Sequence, residues 1–176
     1  MDYDVTIEIM GECGDIEVLK EIIEAASEDA AESYWYHAAE DYDVVAAMSK
    51  AVEEGGMLTL VKSDTRSIFN NLRSACRDAG LSYVVSKGTT GDEGFDEAIF
   101  YRAGGEELET PLDVAAEVIR MREVREAAAR GIEAVHEMIA EYDRKVLKDV
   151  EKSFRVPADV LAALAAEYPD ENTPTR

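Results

Sequence analysis

The apolar residues of this chain recur with two different periods, and the order of those periods constrains the fold more than any other feature. Residues 3–9 alternate apolar and polar side chains, which is the period of a half-buried β-strand. Residues 16–26 carry apolar side chains at steps of three and four, which predicts an amphipathic helix that Asp15 can cap. Strand and helix patterns therefore alternate from the first residues onward.

Four strand-like segments occur in the first 105 residues, and helical patterns separate the first three. The predicted strands cover residues 3–9, 57–62, 81–86 and 95–102. Strand–helix–strand steps predict right-handed crossovers with parallel neighbours, whereas the last two strands form a hairpin. The expected fold is α/β (α+β), with a small mixed four-stranded sheet and flanking helices. A long C-terminal helix or helical hairpin and a short terminal helix follow.

The last third of the chain carries one long helical pattern. Thr110 and Pro111 predict its start, as N-cap and first helical residue. Apolar residues then step by four and three alternately, which is the seam of a heptad repeat and is interrupted by Arg125. A helix of some forty residues would be about 60 Å long, so we expect it to project or to pair with a second copy, unless the chain folds back at Gly131. The predicted dimer seam consists of Val118, Met121, Ile132, Val135, Ile139, Tyr142 and Val146.

These patterns predict three parts of the chain. Residues 1–109 form an acidic α/β domain, and residues 110–168 form a helical region that ends in a short helix opened by Val156 and Pro157. Residues 169–176 are expected to form a loose tail.

Acidic residues outnumber basic residues by 39 to 18, which gives a net charge of −21. Binding of DNA or RNA requires Lys and Arg to displace phosphate counterions, so this charge argues against direct contact with nucleic acid or with anionic membranes. Residues 1–56 hold 16 acidic and 2 basic residues, a net charge of −14. This segment is either a solvated surface that favours solubility or the electrostatic footprint of a basic partner.

Aromatic and acidic residues are interleaved between positions 28 and 43. Tyr and Trp are common anchors of protein interfaces, and carboxylates around them would steer a basic partner. The alternative is that Trp35 and Tyr36 pack between a helix and the sheet. The predicted partner-binding residues are Glu28, Asp29, Glu32, Tyr34, Trp35, Tyr36, Glu40, Asp41 and Asp43.

The titratable and nucleophilic residues match no motif for catalysis, cofactor binding or metal binding. His136 lies three residues after a Glu, as in di-iron bundles, but that chemistry needs a second such pair, and His37 does not supply one. Cys13, in a turn, and Cys76, on the inner face of a helix, are expected to be reduced thiols. The glycine-rich segment 88–94 joins two predicted strands and contains two acids, which would repel a phosphate. We therefore expect no cofactor and no metal.

Charge, size and the lack of motifs favour a non-enzymatic protein that docks on a basic surface of a nucleic-acid-binding protein. In general character the chain is similar to small acidic proteins of phages and mobile elements, which include DNA mimics and anti-CRISPR inhibitors of host nucleases. The alternatives are a structural or assembly protein that dimerises through the long helix, and an enzyme with a site of unfamiliar type. The acidic N-terminus does not resemble a signal peptide, and no apolar run approaches the ~20 residues that span a bilayer. We expect a cytoplasmic protein in a bacterium or in a phage-infected cell.

Overall fold

In a computed structural model, the protein has the mixed α/β fold that the sequence predicts, with helices packed on an open sheet. The structure describes residues 3–31, 41–63, 68–89, 97–111, 121–145 and 152–169. Within these ranges the strands are β1 (Tyr3–Glu12), β2 (Leu58–Ser63), β3 (Ser82–Thr89), β4 (Glu97–Tyr101), β5 (Glu107–Pro111) and β6 (Phe154–Arg155). The helices are α1 (Ile16–Ala31), α2 (Asp41–Glu54), α3 (Asn70–Asp78), α4 (Met121–Arg130), α5 (Ile132–Lys145) and α6 (Ala158–Glu167).

The ten-residue strand β1 lies inside the sheet, because strands pair with both of its edges. β2 and β3 flank it in antiparallel orientation, and the sheet continues in the order β2-β1-β3-β4-β5. The short β6 runs parallel to the end of β1, with Phe154 opposite Gly11. The predicted hairpin of β3 and β4 is confirmed. The prediction of parallel neighbours around the crossovers is wrong, because β1 and β2 are antiparallel neighbours and β1 separates β2 from β3.

Thr110 and Pro111 belong to β5, so the prediction that they start a helix is wrong. β5 lies at the edge of the sheet, and Pro111 stands opposite Glu97 at the end of the β4–β5 ladder. Proline lacks an N–H group and is tolerated on an edge strand, where no further strand needs that donor. The sheet thus extends past the predicted domain boundary at residue 109 and has two strands more than the four predicted.

Alternation along β1 determines which face of the sheet the helices cover. Val5, Ile7 and Ile9 are at most 1% exposed and share one hydrophobic cluster with residues of α1, α2, α3 and α6. Burial of each such side chain stabilises the fold by about 1.5–3 kcal/mol. The opposite face carries a smaller buried cluster, which consists of Met10, Ala98 and Phe100.

Gly131 interrupts the helical pattern of the last third. α4 ends at Arg130 and α5 begins at Ile132, and the φ angle of 114° at Gly131 is one that side chains rarely adopt. The two helices contact each other. A continuous heptad helix through this point is therefore not formed, and the helical pattern is divided at Gly131.

Residues 152–169 return to the α/β core. Phe154 of β6 and Leu164 of α6 are completely buried in the main hydrophobic cluster, and α6 contacts α1 and α2. The predicted terminal helix is confirmed, with Pro157 directly before its first residue. It packs with the N-terminal elements, whereas the predicted division of the chain assigns it to a separate helical region.

Candidate functional site

The solvent-facing side of α1 carries four glutamates in one line, which we call the acidic ridge. Glu17, Glu21, Glu24 and Glu28 are all exposed. Their steps of four, three and four place them within an arc of about 60° at 100° per residue. The opposite side of α1 is held in the core by Leu19, Ile22, Ile23 and Ala26. One stripe thus anchors the helix, and the other presents carboxylates to solvent.

One lysine neutralises part of the acidic ridge at its N-terminal end. Lys20 Nζ donates to Glu17 Oε1 at 3.0 Å and lies 2.7 Å from Glu167 Oε2 of α6. Hydrogen bonds to Glu167 and Glu17 raise the pKa of Lys20. The other three glutamates of the ridge form no ion pair with any residue that the structure describes.

The predicted partner-binding residues fall into three groups. Glu28 is exposed and belongs to the acidic ridge, whereas Asp29 is completely buried. Asp41 and Asp43 lie in the first turn of α2, and their side chains are outside the described part. The remaining predicted residues lie outside the described ranges, namely Glu32, Tyr34, Trp35, Tyr36 and Glu40.

The sequence prediction omits three members of the acidic ridge, which are Glu17, Glu21 and Glu24. Their signal is present in the sequence, because acids recur at helical steps opposite the apolar stripe of α1. The sequence prediction rests instead on the interleaved aromatic and acidic residues between positions 28 and 43.

Asp29 is not available to a partner, contrary to the prediction, because its carboxylate caps α3. Oδ1 accepts a hydrogen bond from the backbone amide of Asn71 at 3.2 Å, and Oδ2 accepts one from Leu72 at 2.9 Å. Phe69, which precedes α3, contributes no side-chain cap. An acid on α1 thus supplies the acceptors that the first amides of a helix require.

Lys62 of β2 completes the junction between α1 and α3. Its side chain is buried on the helix-covered face of the sheet, opposite Val5 in register. Nζ donates to the carbonyl oxygen of Asp29 at 3.3 Å and lies 4.7 Å from the ring centroid of Phe69, within cation–π range. Asp29 and Lys62 therefore link α1, β2 and the start of α3.

A second polar cluster, which we call the Glu107 cluster, joins α3 to β3 and β5. The carboxylate of Glu107 accepts hydrogen bonds from Arg73, from Arg77 Nη1 at 2.9 Å and from the hydroxyl of Tyr83. Tyr83 in turn stacks on Tyr101, with 5.2 Å between ring centroids. Two cations, one carboxylate and two aromatic rings thus meet at one end of the sheet.

The environment of the Glu107 cluster moves its acidic groups away from neutral pH. Partial burial by itself would raise the pKa of Glu107, but hydrogen bonds from Arg73 and Tyr83 and the charges of both arginines outweigh it and lower that pKa. Burial and the bond to Glu107 raise the pKa of Tyr83 to about 12. A general acid or base works best with a pKa near the working pH. This cluster therefore fits a structural clamp rather than an acid–base pair.

Neither cysteine has the environment of an activated nucleophile. Cys13 is buried in the short segment between β1 and α1, and Cys76 is completely buried. Burial raises the pKa of both thiols, that of Cys76 to about 12. Because the thiolate is the reactive form, both thiols are expected to be inert in the folded protein.

The remaining candidate positions that the structure describes belong to different elements. His136 lies exposed on α5. Gly88 and Thr89 of the glycine-rich segment belong to β3, and the rest of that segment lies outside the described residues. Across the described ranges, His, Cys, Asp and Glu form no group of three or more that could hold a metal ion. No helix in the same ranges has the length and apolar character needed to cross a membrane.

The predicted seam is distributed over two helices. Met121, on α4, and Ile132 and Ile139, on α5, are 64%, 67% and 42% exposed. Val135 is half-buried, and Tyr142 lies in α5 with its side chain outside the described part. Val118 and Val146 lie outside the described ranges.

Neither a family model, nor a curated protein, nor a solved structure matches this chain.

Proposed function

We propose that this protein is a non-enzymatic binding module that docks through its acidic ridge on a basic surface of a nucleic-acid-binding protein. The observation that carries the proposal is the line of four exposed glutamates on α1, three of which lack an ion-pair partner in the described part of the chain. Charged surfaces of this kind steer partners of opposite sign and raise their rate of association.

The spacing of the acidic ridge supports mimicry of nucleic-acid charge. Eleven residues of helix separate Glu17 from Glu28, which is about 16 Å at 1.5 Å per residue. Four carboxylates over that length place one charge about every 5–6 Å, compared with one phosphate about every 3.4 Å along one DNA strand. A groove that binds a phosphate backbone would therefore meet a line of negative charges whose spacing is of the same order as that of phosphates.

The other polar groups named above form hydrogen bonds within the fold, which also supports a binding role. Asp29 and Lys62 connect elements of the core, and Glu107 engages two arginines and a tyrosine. An active site needs polar groups that converge on a space where a substrate fits. The exposed carboxylates of α1 are instead arranged along a convex helix surface, which suits contact with another macromolecule.

We propose further that the module acts as an inhibitor in the manner of DNA mimics and anti-CRISPR proteins of phages or mobile elements, in the bacterial cytoplasm. By occupying the nucleic-acid groove of its partner, it would compete with DNA or RNA. Screening by salt weakens exposed electrostatic contacts, so the complex should dissociate as ionic strength rises.

A capture experiment with two variants of equal charge tests this proposal. The immobilised protein is exposed to nuclease-treated bacterial lysate, and retained proteins are eluted with a salt gradient and identified by mass spectrometry. The ridge variant is Glu21→Gln, Glu24→Gln and Glu28→Gln. The control variant is Glu106→Gln, Glu123→Gln and Asp159→Asn, which removes three exposed charges elsewhere.

The expected result is one or more nucleic-acid-binding proteins that the unaltered chain and the control variant retain and the ridge variant loses. Excess duplex DNA should release the same proteins from the unaltered chain. Equal retention by all three forms, or equal loss from both variants, would show that the ridge is not the binding surface.

A further inference from the structure

The strand path β2-β1-β3-β4-β5 has two outer edges, which differ in how they are protected. β5 forms one edge, and its residues include Glu107, Glu109 and Pro111. Charged residues and proline are common on edge strands, because they hinder pairing with a further strand. The β5 edge is therefore poorly suited to extend the sheet.

β2 forms the other outer edge, and neither of those protective features occurs at its exposed positions. The strand reads Leu-Thr-Leu-Val-Lys-Ser, with Thr59 exposed and Val61 60% exposed. Lys62 is its one charged residue, and that side chain is buried on the helix-covered face, near Asp29 and Phe69. The exposed side chains of β2 are thus uncharged and belong to residue types that favour strands.

The backbone of β2 has hydrogen-bonding groups that β1 does not use. A strand that is paired on one side directs the N–H and C=O groups of every second residue to its other side. Within the described part of the chain, the backbone of residues 58–61 forms no hydrogen bond outside the β1–β2 ladder. An extended segment satisfies such a row of groups, because its own N–H and C=O groups recur with the same period.

The charges beside this edge are mostly negative. Glu8 of β1 stands opposite Thr59 in register and is half-buried. Glu53 and Glu54 are exposed at the end of α2, directly before the short connection into β2, and the exposed Lys50 offsets only one of these charges. Two copies paired edge to edge would bring two acidic flanks together, so the charge favours a basic segment over self-association.

We propose that the outer edge of β2 binds an extended, basic segment of another protein, which joins the sheet as an antiparallel strand. A Lys or Arg placed opposite Thr59 can reach across this short side chain to Glu8, because two strand spacings amount to about 10 Å. An apolar residue two positions away covers Val61, since side chains on one face recur at every second residue. This edge belongs to a different element from the acidic ridge, so the site goes beyond the proposed function and does not depend on it.

The first test adds the end-blocked peptide Lys-Thr-Val-Val-Lys-Val-Thr-Lys to the isotope-labelled full chain and records NMR spectra. Signals of residues 58–61 should shift and their amides should exchange more slowly, whereas β5 should not change. Two further peptides carry N-methyl groups at the odd or at the even positions. Because a strand uses every second amide toward one neighbour, one of them should bind like the parent and the other should not. Absence of binding at millimolar peptide, shifts confined to α1, or equal binding of both methylated peptides overturns the proposal.

The second test compares two variants with the same change of charge. Val61→Lys removes the apolar contact and places a like charge at the edge, so it should weaken peptide binding about tenfold. Ile132→Lys is the matched control, because Ile132 is 67% exposed and lies on α5, and it should bind like the unaltered chain. Equal weakening by both variants would refute binding at β2. The comparison of methylated peptides uses the unaltered chain, so it decides the question even if a variant fails to fold.

Discussion

Removal of the Asp29 carboxylate should destabilise the protein. Asp29 is completely buried and accepts hydrogen bonds from two backbone amides at the start of α3. The substitution Asp29→Ala deletes both acceptors, and Phe69, which directly precedes α3, supplies no side-chain cap in their place. Any amide that water cannot reach is then left without a hydrogen bond.

The magnitude follows from the exposure of the two donors. Leu72 is completely buried, so its amide bears the cost of a buried unsatisfied donor, about 2 kcal/mol. Asn71 is half-buried, and hydration of its amide reduces the cost there to about 1 kcal/mol. The sum for Asp29→Ala is about 3 kcal/mol. Asp29→Asn keeps one acceptor oxygen but loses the charge that favours a helix N-terminus, which gives about 1–2 kcal/mol.

Urea unfolding followed by circular dichroism measures these differences in the free energy of unfolding. The control is Glu28→Ala, the neighbouring exposed residue of the same helix, for which we expect a change within about 0.5 kcal/mol. A buried cap predicts that Asp29→Ala lowers the free energy of unfolding most, Asp29→Asn less, and the control Glu28→Ala least. If Asp29→Ala stayed within about 0.5 kcal/mol of the unaltered protein, the reasoning about the cap would be wrong.

Folding lowers the pKa of Glu107 below its ordinary value of 4.5. The ionised carboxylate of Glu107 therefore stabilises the protein above pH 4.5, and this contribution should be lost as the pH falls through the folded pKa. Glu107→Gln should remove this part of the pH dependence of urea unfolding. Tyr83 should ionise near pH 12 rather than 10, so its contribution is present below pH 10 and lost as pH rises toward 12; Tyr83→Phe should delete the last component of a tyrosinate absorbance titration. Cys76 should resist iodoacetamide in the folded protein and react after unfolding, as seen by mass spectrometry; rapid native labelling would contradict its burial. Gly131→Ala should cost about 1 kcal/mol in thermal unfolding because of the φ of 114°, whereas Gly56→Ala should cost less, because Gly56 lacks a positive φ and a Cβ has equal space at both positions.

The elements with strong local signals are the ones that the sequence predicts. Alternation in residues 3–9 predicts β1, and the three-and-four spacing in residues 16–26 predicts α1, because side-chain periodicity is a property of neighbouring residues. The break at Gly131 was one of two alternatives that spacing alone left open. The error at Thr110 and Pro111 has a similar origin, since proline suits both the first turn of a helix and the end of an edge strand.

The arrangement of the elements depended on contacts between distant parts of the chain. Whether β1 lies between β2 and β3, or beside one of them, is decided by how the whole sheet buries its apolar face, and no local pattern encodes that order. The same holds for the site. The helical spacing of the acidic ridge can be read from the sequence, but the sequence does not show that Glu28 is exposed whereas Asp29 is buried.

The sequence by itself thus determined the fold class, the amphipathic faces and the excess of negative charge, all of which depend on composition and short-range periodicity. Only the tertiary structure decided which charges face solvent and which hold the core together. Asp29 stabilises a helix that begins more than forty residues later in the chain, with its closest contact to Leu72. Such a role exists only when folding brings the two segments together, because an isolated carboxylate and an isolated amide are both better hydrated by water.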